Sequence, residues 1–138
     1  YLISHAELLG MSPGEQLVVA HVARYHRGAK PSRRHAEFAA LDRVMRRQVR
    51  RLSALLRVAD GLDRGHVSAV DRVKVRWIER AIRITPVPRN ASRTMRLELW
   101  GASRKAALLE EVAGVPVEIV SPDGNVVGRD EGEGGDEE

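Results

Sequence analysis

The hydrophobic period of this chain changes once, near Gly65, and that change limits the folds open to it. Upstream, apolar residues recur every three or four positions, the spacing of a helix face. Downstream they alternate, the spacing of a half-buried strand. Helices that come first and strands that follow do not build the repeated strand–helix–strand units of a parallel sheet. They predict an α+β chain, with an α-helical half followed by a small antiparallel sheet carrying one helix.

In the first half, residues 1–9 read as a helix stopped by Gly10. Ser12, Pro13 and Glu15 then supply an N-cap, a first-turn proline and the glutamate of a capping box, which predicts a second helix to about Arg27. On it Val19, Val22, Ala23 and His26 share one face, so His26 is expected to point inward, while Gln16, Ala20, Arg24 and Arg27 share the other. Gly28 and Pro31 break the chain. The longest helical stretch runs from about His35 to Arg64, interruptible near Ala40, with Leu41, Met45, Leu52, Leu55, Leu56 and Ala59 as its apolar side. Arg43, Arg50, Arg57 and Arg64 recur every seven residues beside Arg46 and Arg47, a stripe that repels itself unless something anionic answers it.

In the second half, Val73 to Trp77, Ile82 to Ile84 and Met95 to Leu99 read as three strands. Ser103 to Ala113 reads as a helix closed by Gly114, and Val115, Val117 and Ile119 suggest one more strand before the turn at Ser121–Asn125. The expected organisation is therefore a helical portion 1–66, a small α+β portion 67–128 and an acidic stretch 129–138. From Asp130 on the chain holds only Asp, Glu and Gly, a composition expected to be disordered and to solubilise. A tail that mimics a polyanion and folds back on the arginine stripe is the sharper alternative.

The folded part is strongly basic: residues 1–129 carry 23 basic against 13 acidic side chains, a net of +10. Twenty of the 23 cations are arginine, whose planar fork binds phosphate oxygens two at a time. A GC-rich genome would raise arginine over lysine with no functional reason, and both readings stay open. With 43% hydrophobic residues but only five aromatics, the core is expected to be built of Leu, Val, Ile and Ala. The chain has no cysteine, which removes disulfides and thiolate metal sites and fits a reducing compartment. No apolar run approaches the roughly 20 residues needed to span a bilayer, and nothing resembles a secretory signal. A cytoplasmic protein with no membrane partner is expected, and a start at Tyr1 inside a helical pattern suggests a piece of something longer.

No complete catalytic constellation is present: there is no phosphate-cradling loop and no His-Glu-x-x-His pair, and Ser4-His5 lacks a third partner. His21, His35 and His66 suggest helix surface or loop. Two stretches concentrate the remaining chemistry, Arg24-Tyr25-His26-Arg27 and Leu56-Arg57-Val58-Ala59-Asp60-Gly61-Leu62-Asp63-Arg64. A hydrogen-bonded core histidine is favoured over a ligand role for His26. For Asp60, an ion pair with Arg57 or Arg64 at helical spacing is the commoner situation.

These two stretches, with Tyr1-Leu2-Ile3, Glu7-Leu8, Gly10, Ser12, Glu15 and Pro31, resemble in spacing and order the C-terminal region of the exopolyphosphatase and guanosine pentaphosphate phosphatase (Ppx/GppA) family. Beyond Gly65 the resemblance is looser, resting on a strand-rich tail with Leu99-Trp100. It implies an HD-like helical domain followed by a small α+β tail, in an enzyme whose actin-like N-terminal domains bind a divalent metal such as magnesium and hydrolyse terminal phosphate. The catalytic glutamate and glycine-rich loops of that N-terminal part have no counterpart here, so no catalysis and no cofactor are expected on this chain. The resemblance further implies polyphosphate or guanosine pentaphosphate as ligand, a homodimer, and an N-terminal catalytic domain as partner. Arg24, Arg27, Arg50, Arg57 and Arg64 would be the polyphosphate contacts, and His26, Asp60 and Asp63 remnants of an HD-type site without a bound metal. Two readings from other classes stand beside it: a basic nucleic-acid-binding module, though stacking aromatics are scarce, and a structural dimerisation domain.

Overall fold

The computed structural model describes residues 1–128. In chain order they form α1 (Leu2–His5), α2 (Pro13–Tyr25), α3 (Ala36–Ala39), α4 (Arg43–Leu62), β1 (Val70–Ile78), β2 (Ala81–Pro88), α5 (Arg96–Lys105), α6 (Ala107–Ala113) and β3 (Val117–Ile119). The expected α+β class is therefore the one found. The chain divides into two compact units, Tyr1–Arg57 and a second from Val58 onward, so the division falls inside α4. The acidic stretch from Asp130 on lies outside the described residues. Among those residues no helix is long and apolar enough to cross a membrane.

In the first unit, α2 starts as its sequence dictates. The Ser12 hydroxyl accepts from the Glu15 N–H at 3.2 Å and the Glu15 carboxylate accepts from the Ser12 N–H at 2.8 Å, closing the capping box. Hydrogen bonding to the Glu15 carboxylate from the Ser12 backbone N–H, and then from the Ser12 side chain, favours its charged form and holds its pKa below the usual value. The core gathers Val18, Tyr25, Phe38, Leu41 and Val49, with Val22 and Met45 packed against it. The inward face of α2 is thus Val18, His21 and Tyr25 rather than the expected Val19 and His26. The two faces lie one residue apart on the wheel, and Tyr25 decides between them because it buries the largest side chain.

His21, expected at the surface, is buried beside the rings of Tyr25 and Phe38. Burial, and then the nearby Arg24 charge, lower its pKa below the ordinary 6.5, while Glu37 acts weakly the other way. The unfolded chain takes up this proton near pH 6.5 and the folded chain only at lower pH. Stability from neutral His21 is therefore complete above about 6.5 and lost as pH falls toward the depressed folded value. Urea unfolding of His21→Phe between about pH 7 and pH 5 is expected to show a flatter decline than the parent. An identical decline would mean that His21 does not titrate on unfolding.

The second unit is built around Val58, Ile82, Ile84, Ala102, Ala106, Val117 and Ile119. β1 and β2 pair antiparallel, but β2 and β3 run parallel, with Ile82 opposite Val117 and Ile84 opposite Ile119. The sheet is therefore mixed rather than wholly antiparallel, because α5 and α6 form the crossover that a parallel neighbour requires. Residues 95–99, expected as a strand, enter α5, and the expected single helix is two, broken at Ala106. Met95 and Leu99 are four apart, a spacing that suits both periods, and burial of Glu98, Ala102 and Ala106 resolves it as helical. Gly114 closes α6 in the left-handed region, φ 73°, as its position after Ala113 predicts.

Candidate functional site

The Arg24–Arg27 stretch ends α2 and is held in place by residues far away in sequence. Tyr25 is almost fully buried; its hydroxyl hydrogen-bonds His35 Nδ1 at 2.7 Å, the two rings stack 5.5 Å apart, and Phe38 meets it edge-on. Arg24 lies over the Tyr25 ring and pairs with Glu37 at 2.6 Å, both side chains well exposed. His26 is half-buried, and its Nδ1 bonds the Ala23 carbonyl of the preceding turn. Arg57 donates from one arm to the Tyr25 carbonyl at 2.8 Å and from the other to the Gly28 carbonyl at 3.0 Å. This fork satisfies the carbonyl of the last α2 residue and one in the loop beyond it, and burial pushes the Arg57 pKa down.

The Asp60–Arg64 stretch is the seam between the end of α4 and α5. Asp60 forms an ion pair with Lys105, an unexpected partner, with each side chain about five-sixths buried. One residue on, Gly61 lies against the backbone of Gly101 and Ala102, so close that an added Cβ would sit 2.7 Å from their atoms. Arg64 rests over the Trp100 ring at 5.3 Å, and Arg104 also contacts it at 5.1 Å. Asp63 is exposed, 3.5 Å from His66. Of the proposed HD-type residues, His26 belongs to the first unit and Asp60 and Asp63 to the second. No group of three or more His, Cys, Asp or Glu side chains among the described residues is placed to hold a metal ion.

The basic surface is distributed unequally. Residues 1–57 carry 11 basic and 4 acidic side chains, a net of +7, whereas residues 58–128 carry 11 and 9, a net of +2. On α4, Arg43, Arg47 and Arg51 are exposed at i, i+4 and i+8, one flank of the helix, with half-buried Arg50 beside them. This row differs from the seven-residue series, whose later members Arg57 and Arg64 are drawn onto carbonyls and an indole ring. Arg46, beside the row, bonds the carbonyls of Ala39 and Leu41 behind α3. The four-residue spacing was present in the sequence; what obscured it was the equal regularity of the heptad.

The model of the family described as Ppx/GppA phosphatase, domain III, matches residues 1–101. The match takes in both motif stretches, the β1–β2 hairpin and the first half of α5, and so extends past Gly65. None of the curated proteins compared with the chain matches it.

Proposed function

The chain belongs to the Ppx/GppA phosphatase family, and from that premise we propose that it is the polyphosphate-holding C-terminal domain of an exopolyphosphatase-like enzyme. The observation that carries this reading is the net charge of +7 on residues 1–57. It is concentrated on α4, where three exposed arginines repeat every fourth residue. Like charges at that spacing weaken a helix by about 0.2–0.5 kcal/mol per pair, a penalty that a bound polyanion turns into attraction.

Arg43, Arg47 and Arg51 make the direct contacts together with Arg24, Arg27 and Arg50. The Arg24–Glu37 pair is exposed at the surface, where such pairs contribute only about 0–1 kcal/mol, so a phosphate oxygen readily takes the place of Glu37. Arg57 and Arg64 act as positioning residues, the first closing α2 and the second bracing Trp100. His26, Asp60 and Asp63 retain positions of an HD-type site, but here His26 bonds a helix carbonyl, Asp60 pairs with Lys105 and Asp63 lies exposed beside His66. Hydrolysis of terminal phosphoanhydrides, and the magnesium that supports it, belong to the actin-like N-terminal domain of the family enzyme. Pairing of two subunits is supported by an uncovered apolar row on α4, Val44, Leu52, Leu55 and Leu56.

The test is binding of long-chain polyphosphate at two salt concentrations by the parent and by an Arg43→Ala, Arg47→Ala, Arg51→Ala variant. The variant is expected to bind at least tenfold more weakly. Its slope of log affinity against log salt should be shallower by about 2, the share of three phosphate contacts on a single-stranded polyanion. Equal affinity and slope in both proteins would refute the assignment. Arg57 is unsuited to this test, because removing its two bonds to carbonyls would disturb α2 itself.

A further inference from the structure

β1 is an edge strand of the sheet, and every residue from Asp71 to Trp77 is exposed. Three features coincide on it. Val73, Val75 and Trp77 form one row, 42%, 62% and 69% exposed, in register with Pro86, Ile84 and Ile82 of β2, which are buried. The apolar layer thus runs outward from the core and ends uncovered. Arg72, Lys74 and Arg76 form the opposite row, all cationic. Finally, the strand order leaves one side of β1 without a neighbour among the described residues, which presents a line of unpaired N–H and C=O groups. Beside the first half of the strand opens a groove of about 380 Å³, lined in part by Ala59, Leu62, Val70 and Val73.

The chemistry of these rows selects among occupants. A second copy of β1, paired antiparallel in the fully overlapping register that keeps the apolar rows on one face, would set Arg72, Lys74 and Arg76 opposite one another. Like charges directly opposed destabilise a strand pair. Polyphosphate would answer the cationic row but neither the apolar row nor the open carbonyls. An extended peptide in which acidic and aliphatic residues alternate answers all three, since its side chains fall alternately on the two faces.

We propose that β1 is a docking edge for an extended acidic segment of a partner protein, with Asp or Glu alternating with aliphatic residues. This inference is independent of polyphosphate binding. The isotope-labelled chain would be titrated with a peptide of alternating glutamate and valine, with a scrambled peptide of the same composition, and with polyphosphate. The alternating peptide is expected to bind at least tenfold more tightly than the scrambled one and to shift amide signals of β1. Lys74→Glu combined with Arg76→Glu, both at exposed positions, is expected to weaken it at least tenfold and to admit an alternating lysine–valine peptide instead. That gain cannot come from misfolding. Equal affinity for the scrambled peptide, shifts confined to the α4 arginines, no saturable binding, or a dimer formed through β1 would each overturn the proposal.

Discussion

Gly61→Val is expected to cost about 3 kcal/mol or more, and to lower the thermal midpoint by roughly 10 °C. The reason is geometric. A Cβ at Gly61 would lie 2.7 Å from the amide nitrogen of Ala102 and from the carbonyl carbon and oxygen of Gly101. These are backbone atoms of a neighbouring helix, so no rotamer change relieves the contact and α5 has to move. Gly101 is the reciprocal position, with the Gly61 carbonyl oxygen 2.8 Å from its would-be Cβ. Even alanine at Gly61, which gains up to about 1 kcal/mol in helix propensity, is expected to destabilise. Gly14 in α2 provides the control: nothing lies within 4 Å of its would-be Cβ, and Gly14→Ala should be neutral or slightly stabilising. Chemical unfolding of the three variants checks the ordering. If Gly61→Val unfolds at the same denaturant concentration as Gly14→Ala, the two helices do not meet at their glycines.

Lys105→Met is expected to destabilise the chain by about 3 kcal/mol, because it leaves the Asp60 carboxylate in its mostly buried site without its ammonium partner. The expected signature is non-additivity. Asp60→Asn combined with Lys105→Met should recover much of the loss, since the mostly buried carboxylate charge is then gone. A double-mutant cycle measured by urea unfolding reads the coupling directly. Additive losses would show that the two side chains contribute separately, as two exposed groups would.

Both predictions concern residues whose pattern in the sequence suggested ligand chemistry. Asp60, Gly61 and Arg64 were legible as a motif, but their partners Lys105, Gly101, Ala102 and Trp100 stand far along the chain, and periodicity within one helix carries no trace of them. Arg24 and Tyr25 likewise find Glu37 and His35 across a break in secondary structure. What was legible was local: the Ser12–Glu15 capping box, the stop at Gly114, the hairpin strands, and the change of period that set the α+β class.

Of the apolar side expected for α4, Leu41 and Met45 do meet the core, whereas its later members do not. Leu52, Leu55 and Leu56 carry the strongest hydrophobic signal, yet they are exposed. The buried positions are Val49, Ser53, Ala54, Val58 and Gly61: the two valines join the hydrophobic cores, and Gly61 lets the backbone of α5 approach closely. The strand expected at residues 95–99 failed differently, because five residues are too few to tell alternation from a helical repeat.

The most direct measurement of polyphosphate holding is a competition experiment on the whole chain. Labelled long-chain polyphosphate would be bound first, then challenged with single-stranded RNA of matched total charge at near-physiological salt. Closely spaced phosphates suit arginines repeated every fourth residue along one flank of α4, whereas RNA gains its affinity from base stacking as well as charge, and this surface offers few aromatics. Polyphosphate is therefore predicted to remain bound in several-fold excess RNA, with the Arg43, Arg47 and Arg51 side chains carrying the perturbed resonances. Displacement by an equal charge of RNA would contradict the polyphosphate reading and assign the same arginines to a general nucleic-acid surface.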